Sequence, residues 1–125
     1  MKRFSGRFLS VVDEIYRKNP FYAKEAYTFV YEALEIAARA LDLSPDQHLS
    51  GVELVRIGVV PLAFQRWGWL AKDVLAFWSI HSSSDIGSIV KSLVEVGVFK
   101  QSENDAFEEF STVDLARELD RLVGR

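Results

Sequence analysis

The chain has 125 residues, of which 49% are hydrophobic and 26% charged, and its formal net charge is -3. This length suits one globular domain that buries about two thirds of the surface of its unfolded chain, and the composition excludes a fibrous repeat or a disordered chain. The absence of cysteine excludes disulfides, thiolate metal ligands and cysteine nucleophiles. The apolar stretches are too short for a membrane span or a signal-peptide core, so we expect a cytoplasmic protein without membrane contact.

Two helices are predicted in the first part of the chain. Apolar residues at helical spacing predict a helix over residues 5–18, which ends before Pro20 because proline disfavours helical backbone in the residue before it. The second helix, over residues 22–41, has apolar residues on two faces. Two apolar faces predict contacts on two sides, and this helix is therefore expected to lie at the centre of the fold.

A third helix is predicted to begin at a capping box. Ser50 and Glu53 have the required spacing, in which each side chain accepts a hydrogen bond from the other residue's backbone N–H. The apolar pattern continues to residue 67 but contains Pro61, which lacks an N–H and clashes with the preceding turn. We expect one kinked helix over this segment, with two short helices as the alternative.

Two further helices are predicted in the middle of the chain. A short fourth helix follows Gly68. A fifth helix is indicated by a second capping box, from Ser82 to Asp85, and by Gly97, a residue typical of the position after a helix C-terminus.

The last part of the chain predicts a β-hairpin and a final helix. Residues 98–101 and 106–110 have the composition of two short strands around a turn, and residues 111–125 predict a C-terminal helix. Helix, turn, helix and hairpin in this order are typical of a winged helix-turn-helix. The predicted fold is a mainly α single domain, residues 1–125, with about six helices and one short β-hairpin. Its parts are an N-terminal helical pair (1–41), a winged-helix-like part (50–110) and a C-terminal helix (111–125).

Local charge argues against nucleic-acid binding through the helix at residues 82–96. Between Asp85 and Glu109 there are two lysines and six acids, a formal charge of -4 that repels phosphates. A nucleic-acid-binding regulator remains the alternative function, through basic residues at the start of the chain. These candidate residues are Lys2, Arg3, Arg7, Arg17 and Lys18.

The outer side of the fifth helix predicts a surface for protein contact. Ser84, Ser88 and Ser92 recur every four residues, and Gly87 beside them would allow another helix to approach closely. A solvated helix without a partner explains the same residues equally well. We expect a noncatalytic protein-interaction module whose partner is an unknown protein or a second copy of the chain. The candidate contact residues are Ser84, Gly87, Ser88, Lys91, Ser92, Glu95, Glu103 and Asp105.

Few residues are of the types that carry out catalysis. His48 with Glu53, and His81 with Asp85, would support acid-base chemistry or zinc binding only if the fold brought the two pairs together. Their spacing matches no metal motif, and the chain contains no nucleophile, phosphate-binding or dinucleotide motif. Catalytic residues, a cofactor and a metal are therefore not expected.

Four aromatic residues lie close together around the fourth helix. They are Trp67, Trp69, Phe77 and Trp78, and they form either part of the core or the lining of a pocket. Aromatic residues at helical spacing are more often core, so we expect this cluster to hold the fold together.

Three stretches of the chain resemble a known family. They are HLSGVEL from His48, LAKDVLAFWSI from Leu70 and SSDIGSIVKSLVEVGVF from Ser83. Together they resemble a small bacterial family of hypothetical proteins, the Minf-type domain of unknown function. The resemblance implies one intact domain over nearly the whole chain and no assigned activity. The chain departs from the family pattern at Pro61, Ser79 and Lys91. The matching positions are Phe29, Val30, Ala33, Leu34, His48, Ser50, Gly51, Glu53, Trp78, Ile80, Asp85, Ile86, Gly87, Leu93, Glu95 and Gly97.

Overall fold

A computed structural model of the chain describes residues 4–44, 47, 49–97, 107–122 and 124. The described residues are mainly helical, as predicted. None of their helices is long and apolar enough to span a membrane. The α-helices are Gly6–Lys18 (α1), Lys24–Ala40 (α2), Gly51–Glu53 (α3), Val60–Trp67 (α4), Ala71–Phe77 (α5), Ser83–Glu95 (α6) and Leu115–Leu122 (α7). A π segment spans Leu54–Val59, and two 3-10 helices span Gly68–Leu70 and Phe107–Thr112.

The N-terminal pair of helices matches the prediction closely. The Ser5 hydroxyl accepts a hydrogen bond from the N–H of Phe8 at 3.1 Å and thereby caps α1, and α1 ends just before Pro20. Helix α2 contacts α1, the π segment and α6. Its buried residues include Ala33, which faces the π segment. The predicted central position of the second helix is confirmed.

The segment from Gly51 to Trp67 is one continuous helical run rather than two helices. The predicted capping box is present: the N–H of Glu53 donates to the Ser50 hydroxyl, and the N–H of Ser50 donates to the Glu53 carboxylate, both at 3.1 Å. The π segment lies directly before Pro61, and there the N–H of Val60 donates to the carbonyl of Val55, five residues back. This wider turn allows the chain to reach proline without a break in the run.

The predicted β-hairpin is not found among the described residues. Residues 107–110, expected as its second strand, belong to the second 3-10 helix, while the expected first strand and turn lie outside the described residues. The physical reason is the side chain of Phe110, which is buried against Gly51 of α3 and Gly87 of α6. This packing outweighs the strand preference of a short apolar run. The winged-helix-like arrangement of residues 50–110 is therefore not supported.

The number of helices also differs from the predicted six. Over the described ranges, five α-helices have eight or more residues. The predicted fourth helix is divided between the first 3-10 helix and the seven-residue α5. The predicted fifth helix is confirmed as α6, and Gly97 follows it with a φ of 83°, a left-handed conformation that favours glycine.

One cluster of buried side chains contains residues from all the longer helices, the π segment and the second 3-10 helix. A close backbone approach within it lies between α2 and the π segment. A Cβ added at Gly58 would overlap the carbonyl oxygen of Ala33, a backbone atom that cannot turn away. Glycine at this position therefore sets the distance between the two central helical segments.

Replacement of Gly58 by alanine is expected to destabilise the fold. The added methyl group would force α2 and the π segment apart, and overpacking of this kind typically costs about 1–3 kcal/mol. Urea denaturation followed by far-ultraviolet circular dichroism measures the free energy of unfolding. Gly6→Ala is the matched control, because nothing lies within 4 Å of a Cβ there, and its stability should be unchanged or slightly raised. Equal stability of the two variants would contradict this account of the α2 contact.

Candidate protein-interaction site

Asp85 fixes the beginning of α6 and ties it to the chain that precedes α2. Its Oδ2 accepts hydrogen bonds from the backbone N–H groups of His81 at 2.8 Å and Ser82 at 3.0 Å. Its Oδ1 accepts a hydrogen bond from the phenol of Tyr22 at 2.7 Å. The carboxylate thus provides its half of the capping box predicted at Ser82 and also makes a tertiary contact.

Two tyrosines lie beneath the serines of α6. Burial and, after it, the hydrogen bond to Asp85 raise the pKa of Tyr22 to about 12, against the opposing effect of a hydrogen bond with Ser88. Burial also raises the pKa of Tyr27, and a hydrogen bond with Ser92 opposes that shift. Ser88 and Ser92 therefore interact with the protein's own tyrosines.

The serine ridge predicted on α6 is only partly open to solvent. Gly87, predicted to be exposed, is buried, because the ring of Phe110 would lie only 2.8 Å from a Cβ there. Ser92 is half-buried. Ser84, Ser88, Lys91 and Glu95 are exposed as predicted, whereas Glu103 and Asp105 lie outside the described residues.

The cations of the nucleic-acid alternative do not all act as free charges. Lys2 and Arg3 lie outside the described residues, and Arg7 and Arg17 are exposed on α1. Lys18 forms an ion pair with Glu14 of the same helix at 3.6 Å. This partial neutralisation does not favour phosphate binding, and the nucleic-acid alternative stays a prediction.

The residues considered for catalysis are only partly described. His48 lies outside the described residues, and His81 is exposed. The carboxylates of Glu53 and Asp85 both cap helices, as shown above. Within the described part of the chain, no three histidines or acids are close enough to hold a metal. The noncatalytic assignment stays a prediction.

The aromatic cluster divides into a core part and a surface part. The rings of Trp67 and Trp78 lie 5.2 and 5.8 Å from the ring of Phe29, measured between centroids, and both are half-buried against the core. Trp69 and Phe77, in contrast, are 69% and 86% exposed. The expectation of a core role is confirmed for the first pair and wrong for the second.

An exposed aromatic face follows from the helical spacing of these residues. Asp73 and Phe77 are four residues apart and lie on one side of α5, and Trp69, in the 3-10 helix that leads into α5, is exposed next to its start. The opposite side of α5 is buried in the core through Ala71 and Leu75. We call the outward side the aromatic face; it consists of Trp69, Leu70, Asp73, Ala76 and Phe77, all exposed. Helical spacing is the signal in the sequence that separates the two sides of α5, whereas the general preference of aromatic residues for the core does not.

A cavity of about 180 Å³ lies beside the aromatic face, between α5 and α7. Its lining includes Ala76, which also belongs to the aromatic face. An ion pair between Lys72 and Asp120, at 2.7 Å, links the two helices next to it. The remaining lining residues are Lys72, Leu75, Ile80, His81, Leu115, Ala116 and Leu119.

Comparison with known proteins yields no match: no family model, no curated protein and no solved structure is similar to this chain. The resemblance to the Minf-type domain of unknown function stays a prediction. The candidate site is therefore defined by its geometry alone.

The raised pKa of Tyr22 predicts a change of stability in alkaline solution. Since the pKa is about 12 in the folded protein and about 10 in an unfolded chain, the folded state binds more protons between these values. The free energy of unfolding should fall as pH rises through this range. Tyr22→Phe removes this titration together with the hydrogen bond to Asp85, which is worth about 1–3 kcal/mol.

Urea denaturation of both proteins, from neutral pH to about pH 12, tests this prediction. The wild-type protein should be more stable near neutral pH, and its advantage over Tyr22→Phe should shrink above about pH 10. The titration of groups that both proteins share cancels in the difference between their free energies of unfolding. An advantage that stays constant throughout would show that Tyr22 titrates normally.

Proposed function

We propose that the chain is a noncatalytic protein-interaction module and that the aromatic face is its contact surface. The observation that supports this function is the exposure of Trp69, just before α5, and of Phe77, at its end, at 69% and 86%. Contiguous exposed apolar side chains are typical of interaction sites. Tryptophan is also among the residues that contribute most to binding in protein interfaces.

The aromatic face suits this function better than the serine ridge of α6. The second 3-10 helix covers Gly87, and Tyr27 already interacts with Ser92. Burial of those residues by a partner would therefore contribute little to the free energy of binding. Full burial of one large apolar side chain, in contrast, contributes roughly 1.5–3 kcal/mol.

The framework behind the aromatic face is held in place before any partner binds. Ala71 and Leu75 anchor α5 in the core, and the Lys72–Asp120 ion pair connects it to α7. Aromatic side chains also have few rotatable bonds, which limits the entropy lost on binding. A preorganised surface of this kind keeps more of its contact energy as affinity.

Peptides that bind the chain should depend on the aromatic face. We would select binders from a random peptide library displayed on phage against the wild-type protein, and measure their affinities by fluorescence anisotropy. Trp69→Ala and Phe77→Ala should each weaken binding about tenfold or more, as expected for central interface residues. Their stabilities should stay within about 0.5 kcal/mol of the wild-type value, because both side chains are exposed.

Phe21→Ala is the matched control, since Phe21 is 60% exposed but lies between α1 and α2, where its ring contacts Tyr22. Its affinity for the selected peptides should equal that of the wild-type protein. Selected peptides that bind all three variants with equal affinity would disprove the proposed contact surface.

A further inference from the structure

A single carboxylate lies in the middle of the aromatic face. Asp73 is exposed and lies four residues from Trp69 on one side and four residues from Phe77 on the other. Within the described part of the chain, no hydrogen bond or ion pair engages it. The neighbouring cation in the chain, Lys72, pairs with Asp120 instead.

From this arrangement we infer that the aromatic face binds an amphipathic helical segment of another protein that carries arginine or lysine among its apolar residues. The inference rests on the proposed function and names the class of partner. A cation placed at Asp73 would meet a carboxylate near two exposed aromatic side chains, Trp69 and Phe77. Both attract cations, the carboxylate by its charge and the ring by its quadrupole. Arginine fits best, because its planar group can stack on a ring while it donates to a carboxylate.

The cavity beside the aromatic face supplies a place for an apolar residue of the same segment. Its volume of about 180 Å³ exceeds the roughly 150 Å³ of an engineered cavity that accommodates benzene. Ala76 belongs to both the cavity lining and the aromatic face. A helical segment that places a cation at Asp73 can therefore place an aliphatic side chain at the cavity within about one turn.

A second copy of the chain is a less suitable occupant. In a two-fold symmetric pair the same patch lies against itself, and a residue at its centre approaches its own counterpart. The two Asp73 carboxylates would then repel each other. The net charge of -3 adds to this repulsion, and it also disfavours an anionic lipid surface.

Three synthetic helical peptides test the inference. They share one length and one leucine face, and carry arginine, glutamine or glutamate at the positions that flank the leucines. Fluorescence anisotropy would measure the affinity of each peptide for the full chain. The wild-type protein should bind the arginine peptide about tenfold or more tightly than the glutamate peptide, with the glutamine peptide between them.

Asp73→Asn keeps the shape of the side chain and removes its charge. It should weaken binding of the arginine peptide about three- to tenfold and leave the glutamine peptide nearly unaffected. Glu14→Gln is the matched control, because it makes the same charge change on α1, where Glu14 pairs with Lys18, and should bind all three peptides like the wild type. Asp73 also lies in the first turn of α5, so circular dichroism would check that the variant keeps its helix content.

Failure of this inference is distinguishable from failure of the proposed function. The wild-type protein could bind the arginine and glutamate peptides equally well, while Phe77→Ala binds neither. This result would overturn the inference of a cationic partner and leave the proposed contact surface intact. An equal loss of arginine preference in Glu14→Gln would overturn it too, since the net charge would then be the cause. In another outcome, sedimentation shows that the wild-type protein self-associates and that Phe77→Ala does not. If the wild-type protein also binds none of the peptides, the partner is a second copy of the chain. Binding to phosphatidylserine vesicles instead of peptides would overturn both proposals.

Discussion

The contact between α2 and the π segment fixes the positions of the other elements. Because Gly58 lies directly against the carbonyl of Ala33, the two central segments approach backbone to backbone, and every larger side chain at Gly58 would separate them. The π segment adds a wider turn immediately before Pro61, and α4 continues from it along the core. The chain then turns at Gly68, whose φ of 57° favours glycine. After this turn α5 packs on the core with one side buried, and the aromatic face is exposed. The exposed aromatic residues are thus a consequence of where the central helices meet.

A second constraint comes from the far end of the chain. The ring of Phe110 lies between Gly51 and Gly87, and the Glu109 carboxylate accepts a hydrogen bond from the N–H of Gly51 at 3.0 Å. Together these contacts attach the second 3-10 helix to α3 and α6.

Helix α7 follows directly and is attached to the π segment by a hydrogen-bonded ion pair at 2.7 Å between Arg56 and Glu118, a nearly buried acid. Glu118 also accepts a hydrogen bond from Arg121 of α7 at 3.2 Å, so that two cations compensate its charge. Helix α7 also forms one wall of the cavity next to α5.

Local signals in the sequence were sufficient for much of the fold. The capping boxes and Gly97 locate the ends of α3 and α6 because they depend on residues only a few positions apart. The second 3-10 helix could not be predicted in the same way. Residues 107–110 alone suit a strand, and only the distant glycines that accommodate Phe110 decide against it. The same distant contact buries Gly87, which the helical pattern of α6 placed on the surface. For the candidate site, the sequence identified the aromatic residues around α5, and in the structure the packing of Trp67 and Trp78 against Phe29 distinguishes them from the exposed Trp69 and Phe77.

Two aspartates show why the identity of a residue does not determine its use. Asp85 stands at a recognisable capping position, and its carboxylate accepts two backbone N–H groups and the phenol of Tyr22. With these donors it stabilises the start of α6 and has little capacity left for a partner. Asp73 has the same chemistry, but α5 holds it in solvent between two exposed aromatic rings. A carboxylate in that position keeps its acceptor capacity for a donor on a partner, and in the proposed interface arginine or lysine would be that donor. In the proposed interface the same carboxylate would repel an acidic partner as well as attract a basic one.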